Sequence, residues 1–150
     1  MAHRIEVGVK AELKDAPGDK LCRRIRTEFK LSGLKALRFI DVYTIDAELT
    51  EEDLGLAASS PLCDPVLQHA RVDRPLPSPG FDWAVEVSYR PGVTDNVGRT
   101  ATEAMSLALG GALAGGGSVH HGRQYRLWGR LEAQDVERVA EQLLGNRLIE

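Results

Sequence analysis

The segment Arg90-Pro91-Gly92-Val93-Thr94-Asp95 carries the residue types of an anion site. A turn leading into a helix leaves backbone N–H groups pointing outward, and a neighbouring arginine adds a charged donor. Arg90, Pro91, Gly92, Thr94 and the following Arg99 are therefore candidates for holding an anion or a partner's acidic group. Asp95 works against this. As a helix N-cap its carboxylate satisfies those same N–H groups and repels anions, so a structural turn is the simpler reading. The glycines between 110 and 117 invite a phosphate-loop reading. No Gly-Lys-Ser/Thr follows, so the ammonium and the metal ligand are missing and a plain loop is expected. His120 and His121 would point to opposite faces of a strand, and no Cys or carboxylate at ligand spacing joins them. They read as an ordinary exposed pair, and no metal ligand is assigned. Lys20, Arg23, Arg24, Arg26 and Lys30 make one helix basic. That is a solvated face by default, with Arg23 and Arg24 as candidates for docking an acidic partner. Cys22 and Cys63 lack CxxC spacing and a neighbouring base, so they read as inert, reduced thiols. No nucleophile, base and oxyanion donors fall together, and no catalytic residue is assigned.

The frame that must position these residues is written twice. Ile5, Val7 and Val9 alternate with Arg4, Glu6, Gly8 and Lys10, which predicts a strand with one buried face. Val85, Val87 and Tyr89 repeat the pattern in the same phase. Asp15 and Asp95, like Gly18 and Gly98, lie at an offset of 80, each Asp where a helix N-cap is wanted. The helices that follow show Leu21, Ile25 and Phe29 in the first copy. Val97, Ala101, Met105, Ala108 and Leu109 answer them in the second. Val42-Tyr43-Thr44-Ile45 then matches Gln124-Tyr125-Arg126-Leu127 as a second strand, at an offset of 82. Thr50 with Asp53 predicts a capping box; Asp135 repeats its N3 position, with Glu132 as a poorer cap. Val136, Val139, Ala140, Leu143 and Leu144 mark the last helical face. Asp64-Pro65-Val66-Leu67 matches Asn146-Arg147-Leu148-Ile149, and the first of these leads into a strand through Val72.

Each copy thus reads strand–helix–long strand–helix–strand. The expected class is α+β, an antiparallel sheet with helices on one face, built from two copies about an approximate twofold axis. Residues 2–73 form the first copy and 81–150 the second. The proline-rich stretch 74–80 joins them as an extended, semi-rigid linker. Val7, Ile25, Ile45, Val87, Met105, Leu127 and Val139 are the predicted core. The second copy has no room for its last strand before Glu150. Its sheet edge is therefore expected to be completed by a strand exchanged with another copy or by downstream chain, with self-association of the chain on its own.

A body of 150 residues buries about 68–70 % of its unfolded surface, whereas each half alone would be marginal. Against 22 Asp+Glu stand 19 Lys+Arg, a net charge of −3 that gives no reason to expect nucleic acid. No apolar run approaches the ~18 residues of a membrane span, and the sequence reads as cytoplasmic and soluble.

Arg90-Pro91-Gly92-Val93-Thr94-Asp95-Asn96-Val97-Gly98, Gly122-Arg123-Gln124-Tyr125 and Leu143-Leu144-Gly145-Asn146-Arg147-Leu148-Ile149-Glu150 together resemble the PurS family. That family is the small subunit of phosphoribosylformylglycinamidine synthase, the ATP- and glutamine-dependent amidotransferase of purine biosynthesis. Its marks are a Lys/Arg-Pro-Gly-Val-x-Asp-x-x-Gly turn, a Gly-Lys pair opening a strand, and a Leu-Leu-x-Asn-x-Val-Ile-Glu helix exit. The first copy departs further, with Ala11-Glu12-Leu13 for Pro-Gly-Val and Ile40-Asp41 for Gly-Lys, while Asp15, Gly18, Asp64 and Val66 persist. Tandem PurS-like units also begin the long single-chain form of the synthase, which the duplicated chain resembles more closely. The resemblance implies a noncatalytic assembly module whose partners are synthetase and glutaminase parts. ATP, Mg and glutamine would be used by those partners, with no cofactor in this chain. It adds Arg123 and Tyr125 to the candidate contact residues. A ligand-sensing duplication of the ACT type is the alternative, and it would need a small-molecule pocket between the copies.

Overall fold

The computed structural model describes residues 2–10, 12–59, 62–77, 80–89, 94–109 and 117–144. Strand β1 (Ala2–Val9) leads to helix α1 (Ala16–Glu28), the long strand β2 (Leu34–Asp46), helix α2 (Glu51–Ser59) and strand β3 (Gln68–Val72). Strand β4 (Trp83–Ser88), helix α3 (Asn96–Ala108), the long strand β5 (Ser118–Gly129) and helix α4 (Ala133–Val139) follow, α4 running on as a π-helical turn over Ala140–Leu144. The five strands make one sheet in the order β3-β1-β2-β5-β4. Every neighbouring pair is antiparallel. The α+β class with an antiparallel sheet is therefore correct. Arg90, Pro91, Gly92 and the stretch Asn146–Glu150 lie outside the described residues.

Both predicted Asp caps form, and they do the same work. Asp15 Oδ1 accepts from Gly18 N at 3.0 Å, and its Oδ2 accepts from Phe39 N on β2 at 2.9 Å. Asp95 Oδ1 accepts from Gly98 N at 2.8 Å, and its Oδ2 accepts from His121 N on β5 at 2.7 Å. Each carboxylate thus caps a helix and ties it to a long strand. Gly18 and Gly98 permit that approach. A Cβ on Gly18 would sit 2.6 Å from Leu37 O, and one on Gly98 would sit 2.6 Å from Val119 O. Because both obstacles are backbone, Gly18→Ala and Gly98→Ala are each expected to cost about 1–3 kcal/mol as the helix shifts off the strand. Denaturant melts of the two variants measure it. Thr50 and Asp53 close the expected capping box, at 3.1 and 3.2 Å.

Two hydrophobic clusters fill the space between helices and sheet, and neither belongs to one half. Ile5, Val7, Ile45, Leu54 and Ala57 meet Ala101, Met105 and Val119 in the first. Cys22, Ile25, Leu34 and Leu37 meet Val87, Tyr125, Leu127, Val139 and Leu144 in the second. All seven predicted core residues are buried. Ile45 is 0 % and Leu127 1 % exposed, so replacing either by Ala should cost about 2–5 kcal/mol in denaturant melts. The predicted helix face of α3 is corrected at its ends. Val97 and Ala108 are exposed, and the buried line is Gly98, Ala101 and Met105.

The expectation of one buried face for β1 is also corrected. Glu6 and Gly8, on the face away from the helices, are buried. The cause is the joint between the halves, which docks on that face. Leu76 packs on Ile40 and Val42, and its N–H donates to Glu6 Oε1 at 3.1 Å. Arg126, only 2 % exposed, donates through Nη1 to Leu76 O at 2.6 Å and through Nη2 to Glu6 Oε1 at 2.9 Å. Arg4 bonds both oxygens of Glu86, at 2.7 and 2.9 Å, and reaches Glu6 Oε2 at 3.0 Å. The Arg4 contact holds Glu86 below the ordinary value of 4.5, against the opposing effect of burial. A lowered carboxylate pKa gives stability that is present above about pH 4.5 and lost as pH falls through the folded value. Glu86→Gln is therefore expected to lower stability at neutral pH, with the difference from the parent shrinking as pH falls below 4.5 and the acid limb of the stability–pH profile correspondingly flatter.

Candidate functional site

Among the described residues, those proposed as contact sites do not converge. Arg23 and Arg24 are exposed on α1, where Arg24 Nε reaches Glu28 at 2.9 Å as an i,i+4 pair. Thr94 and Arg99 are exposed on either side of the Asp95 cap, at the start of α3. Arg123 lies midway along β5, directly opposite Asp41 of β2 in the ladder. Tyr125 is corrected as a contact residue. At 3 % exposure it is a core side chain, its ring 5.5 Å from that of Phe39. Burial pushes the thiols of Cys22 and Cys63 up from their ordinary value, in keeping with inert cysteines.

A different group of side chains does come together. Along β5, Val119, His121, Tyr125 and Leu127 face the helices, and His121 is 9 % exposed. This overturns the expected exposed His pair. His120 alone is exposed. The His121 ring Nε2 lies 2.7 Å from Asp41 Oδ1, and its backbone N–H donates to Asp95. The ring of Tyr43 stands 5.2 Å from that of His121, tilted by 50°. Burial, then Asp41 and Asp95, push the Tyr43 phenol up to about 12, so it stays protonated and acts as a donor near neutral pH. Alternation alone held the signal for His121. Val119, Tyr125 and Leu127 share its parity along the strand and are apolar or aromatic, Arg123 being the charged exception, and a strand puts all of them on one face.

Tyr43 also borders a cavity of about 310 Å³ against α3, together with Leu62, Asn96, Val97, Thr100, Ala101 and Ala104. Its walls, among the described residues, are mostly apolar and carry no charged side chain. Among the described residues no group of three His, Cys, Asp or Glu is placed to hold a metal, and no helix is long and apolar enough to cross a membrane. What the arrangement offers chemically is one phenol donor, backed by an imidazole–carboxylate pair, at the edge of an apolar cavity. Neither the family models nor the curated proteins contain a match to this chain.

Proposed function

We propose that the chain is a duplicated, noncatalytic assembly module of phosphoribosylformylglycinamidine synthase, holding synthetase and glutaminase parts in register. The functional half of this reading rests on the PurS-like turn, strand-opening and helix-exit motifs. The duplicated half is supported by geometry. The β1–β2 ladder pairs Ile5 with Tyr43, and the β4–β5 ladder pairs Val85 with Tyr125, the same register at the repeat offsets. In the central β2–β5 ladder Asp41 pairs with Arg123, its own equivalent in the second copy. An approximate twofold axis between those two residues accounts for that self-pairing. The paired action of Asp15 and Asp95 is the single observation that carries the repeat, because a capped helix tied to a long strand recurs with every partner displaced by 80 or 82.

In this reading the exposed cations Arg23, Arg24 and Arg99 are available for docking. ATP, Mg and glutamine belong to the partner parts. The purified chain is expected to show no ATPase or glutaminase turnover; activity that survives removal of contaminating enzymes would contradict it. Mixing the chain with the synthetase and glutaminase parts and separating by size should give a stoichiometric complex. Elution of the chain apart from both, at concentrations well above those of a working complex, would sink the proposal.

A further inference from the structure

The two halves differ most where their aromatic pairs sit. At the repeat offsets, the Tyr43–His121 pair stands where the other half has Tyr125–Phe39. Phe39, itself half-buried, packs with Tyr125 on the second core cluster, and Leu21 and Arg24 of α1 stand at the matching helix positions in sequence register. The equivalent positions of α3 are the much smaller Ala101 and Ala104, which line a cavity beside Tyr43. A buried imidazole–carboxylate pair costs desolvation that a phenylalanine would not. The fold manages with Phe39 on the other side, so the polar pair is not required to close a core. Tyr43 is only half-buried, whereas Tyr125 is fully so, and Tyr43 borders the cavity.

We propose that the cavity between α3, Tyr43 and Leu62 binds a small, uncharged, largely apolar molecule that accepts a hydrogen bond from Tyr43. Its size is at the lower end of ligand pockets, roughly 300–1,000 Å³, which fits a single substituted ring. A charged ligand would lose its hydration against Leu62, Val97, Ala101 and Ala104 without meeting an ion partner among the described lining residues. Anions are excluded twice, because Asp41 and Asp95 stand behind the phenol and repel negative charge. Asn96 and the Thr100 hydroxyl, which donates to Asn96 O at 3.0 Å, border the opening and supply the remaining polarity. The cavity draws Tyr43 and Leu62 from the first half and α3 from the second, so an occupant would bridge the halves. This holds whether or not the chain docks on a synthetase.

Benzamide, benzoate and benzamidine serve as neutral, anionic and cationic probes of one shape. Titration of each into the isotope-labelled chain, followed by amide chemical shifts, reads both occupancy and place. Benzamide is expected to give saturable shifts at Thr100, Ala101 and Ala104, at least fivefold tighter than benzoate or benzamidine. Ala104→Trp, which fills the cavity from an accessible helix position, should abolish those shifts. Tyr43→Phe, which keeps the ring and removes the donor, should weaken binding about tenfold, equivalent to ~1.4 kcal/mol. Absence of saturable shifts at millimolar benzamide would overturn the proposal. So would equal binding of the three probes, or shifts that persist in a folded Ala104→Trp chain.

Discussion

Expressed apart, residues 2–73 and 81–150 are expected to show no cooperative thermal or denaturant transition, whereas the joined chain melts as one unit. The reason is the composition of the two cores. Ala101, Met105 and Val119 complete the cluster under Ile5, Val7 and Ile45, and Val139 and Leu144 complete the one under Ile25 and Leu37. Either half alone would expose the central long strand along a whole edge and half of each cluster. Fragments of about 70 residues have little surplus stability from which to absorb that loss. Mixing the two fragments should restore near-native circular dichroism if the cores are shared as described. A fragment that melts cooperatively by itself would show that the halves are independent domains.

Replacing Arg126 by alanine is expected to destabilise the fold by about 3–5 kcal/mol, the cost of breaking a buried pair from one side. The guanidinium holds Glu6 Oε1, Leu76 O and Gln124 Oε1 at once, and its group lies 5.1 Å over the ring of Phe81. Burial pulls Arg126 down from its ordinary value, Glu6 pushes it back up, and Arg4 adds to the lowering. Its loss leaves the Leu76 carbonyl without that donor and removes a charge partner from Glu6, a carboxylate held at 4 % exposure. The joint 74–77 should then detach from the sheet, so proteolysis near Leu76 is expected to quicken along with the drop in stability. The paired change Glu6→Leu with Arg126→Met removes both charges, and it should recover most of the loss. A single Arg126→Ala variant within 1 kcal/mol of the parent would mean that the docked joint contributes little.

The helix-facing architecture was legible in the sequence because it obeys local rules. Period-2 alternation marks β1 and β4, two Asp residues at cap positions mark α1 and α3, and Thr50 with Asp53 marks α2. The opposite face of the sheet was not legible for a physical reason. Glu6 and Arg126 are 120 residues apart, and each alone in an alternating strand has the look of a solvated position. The docking of Leu76 helps to take that face out of water, and a proline-rich stretch gives no sign of where it will lie. The candidate site divides in the same way. Arg23, Arg24 and Arg99 are exposed as charges on helices should be, whereas Tyr125 is core because its strand phase outweighs its polar hydroxyl. The Tyr43–His121–Asp41 group needs β2 and β5 to be paired before its members are neighbours.

The claim that the chain is an assembly module is tested most directly by reconstituting the amidotransferase reaction. Glutamine-dependent conversion of formylglycinamide ribonucleotide to the amidine would be followed with synthetase and glutaminase parts present, with and without the chain. The account predicts that adding the chain raises glutamine-dependent turnover at least tenfold, saturating at a fixed stoichiometry, while ammonia-dependent turnover changes little. Glutamine-dependent rates that are the same with and without the chain, at saturating concentrations of all parts, would contradict it.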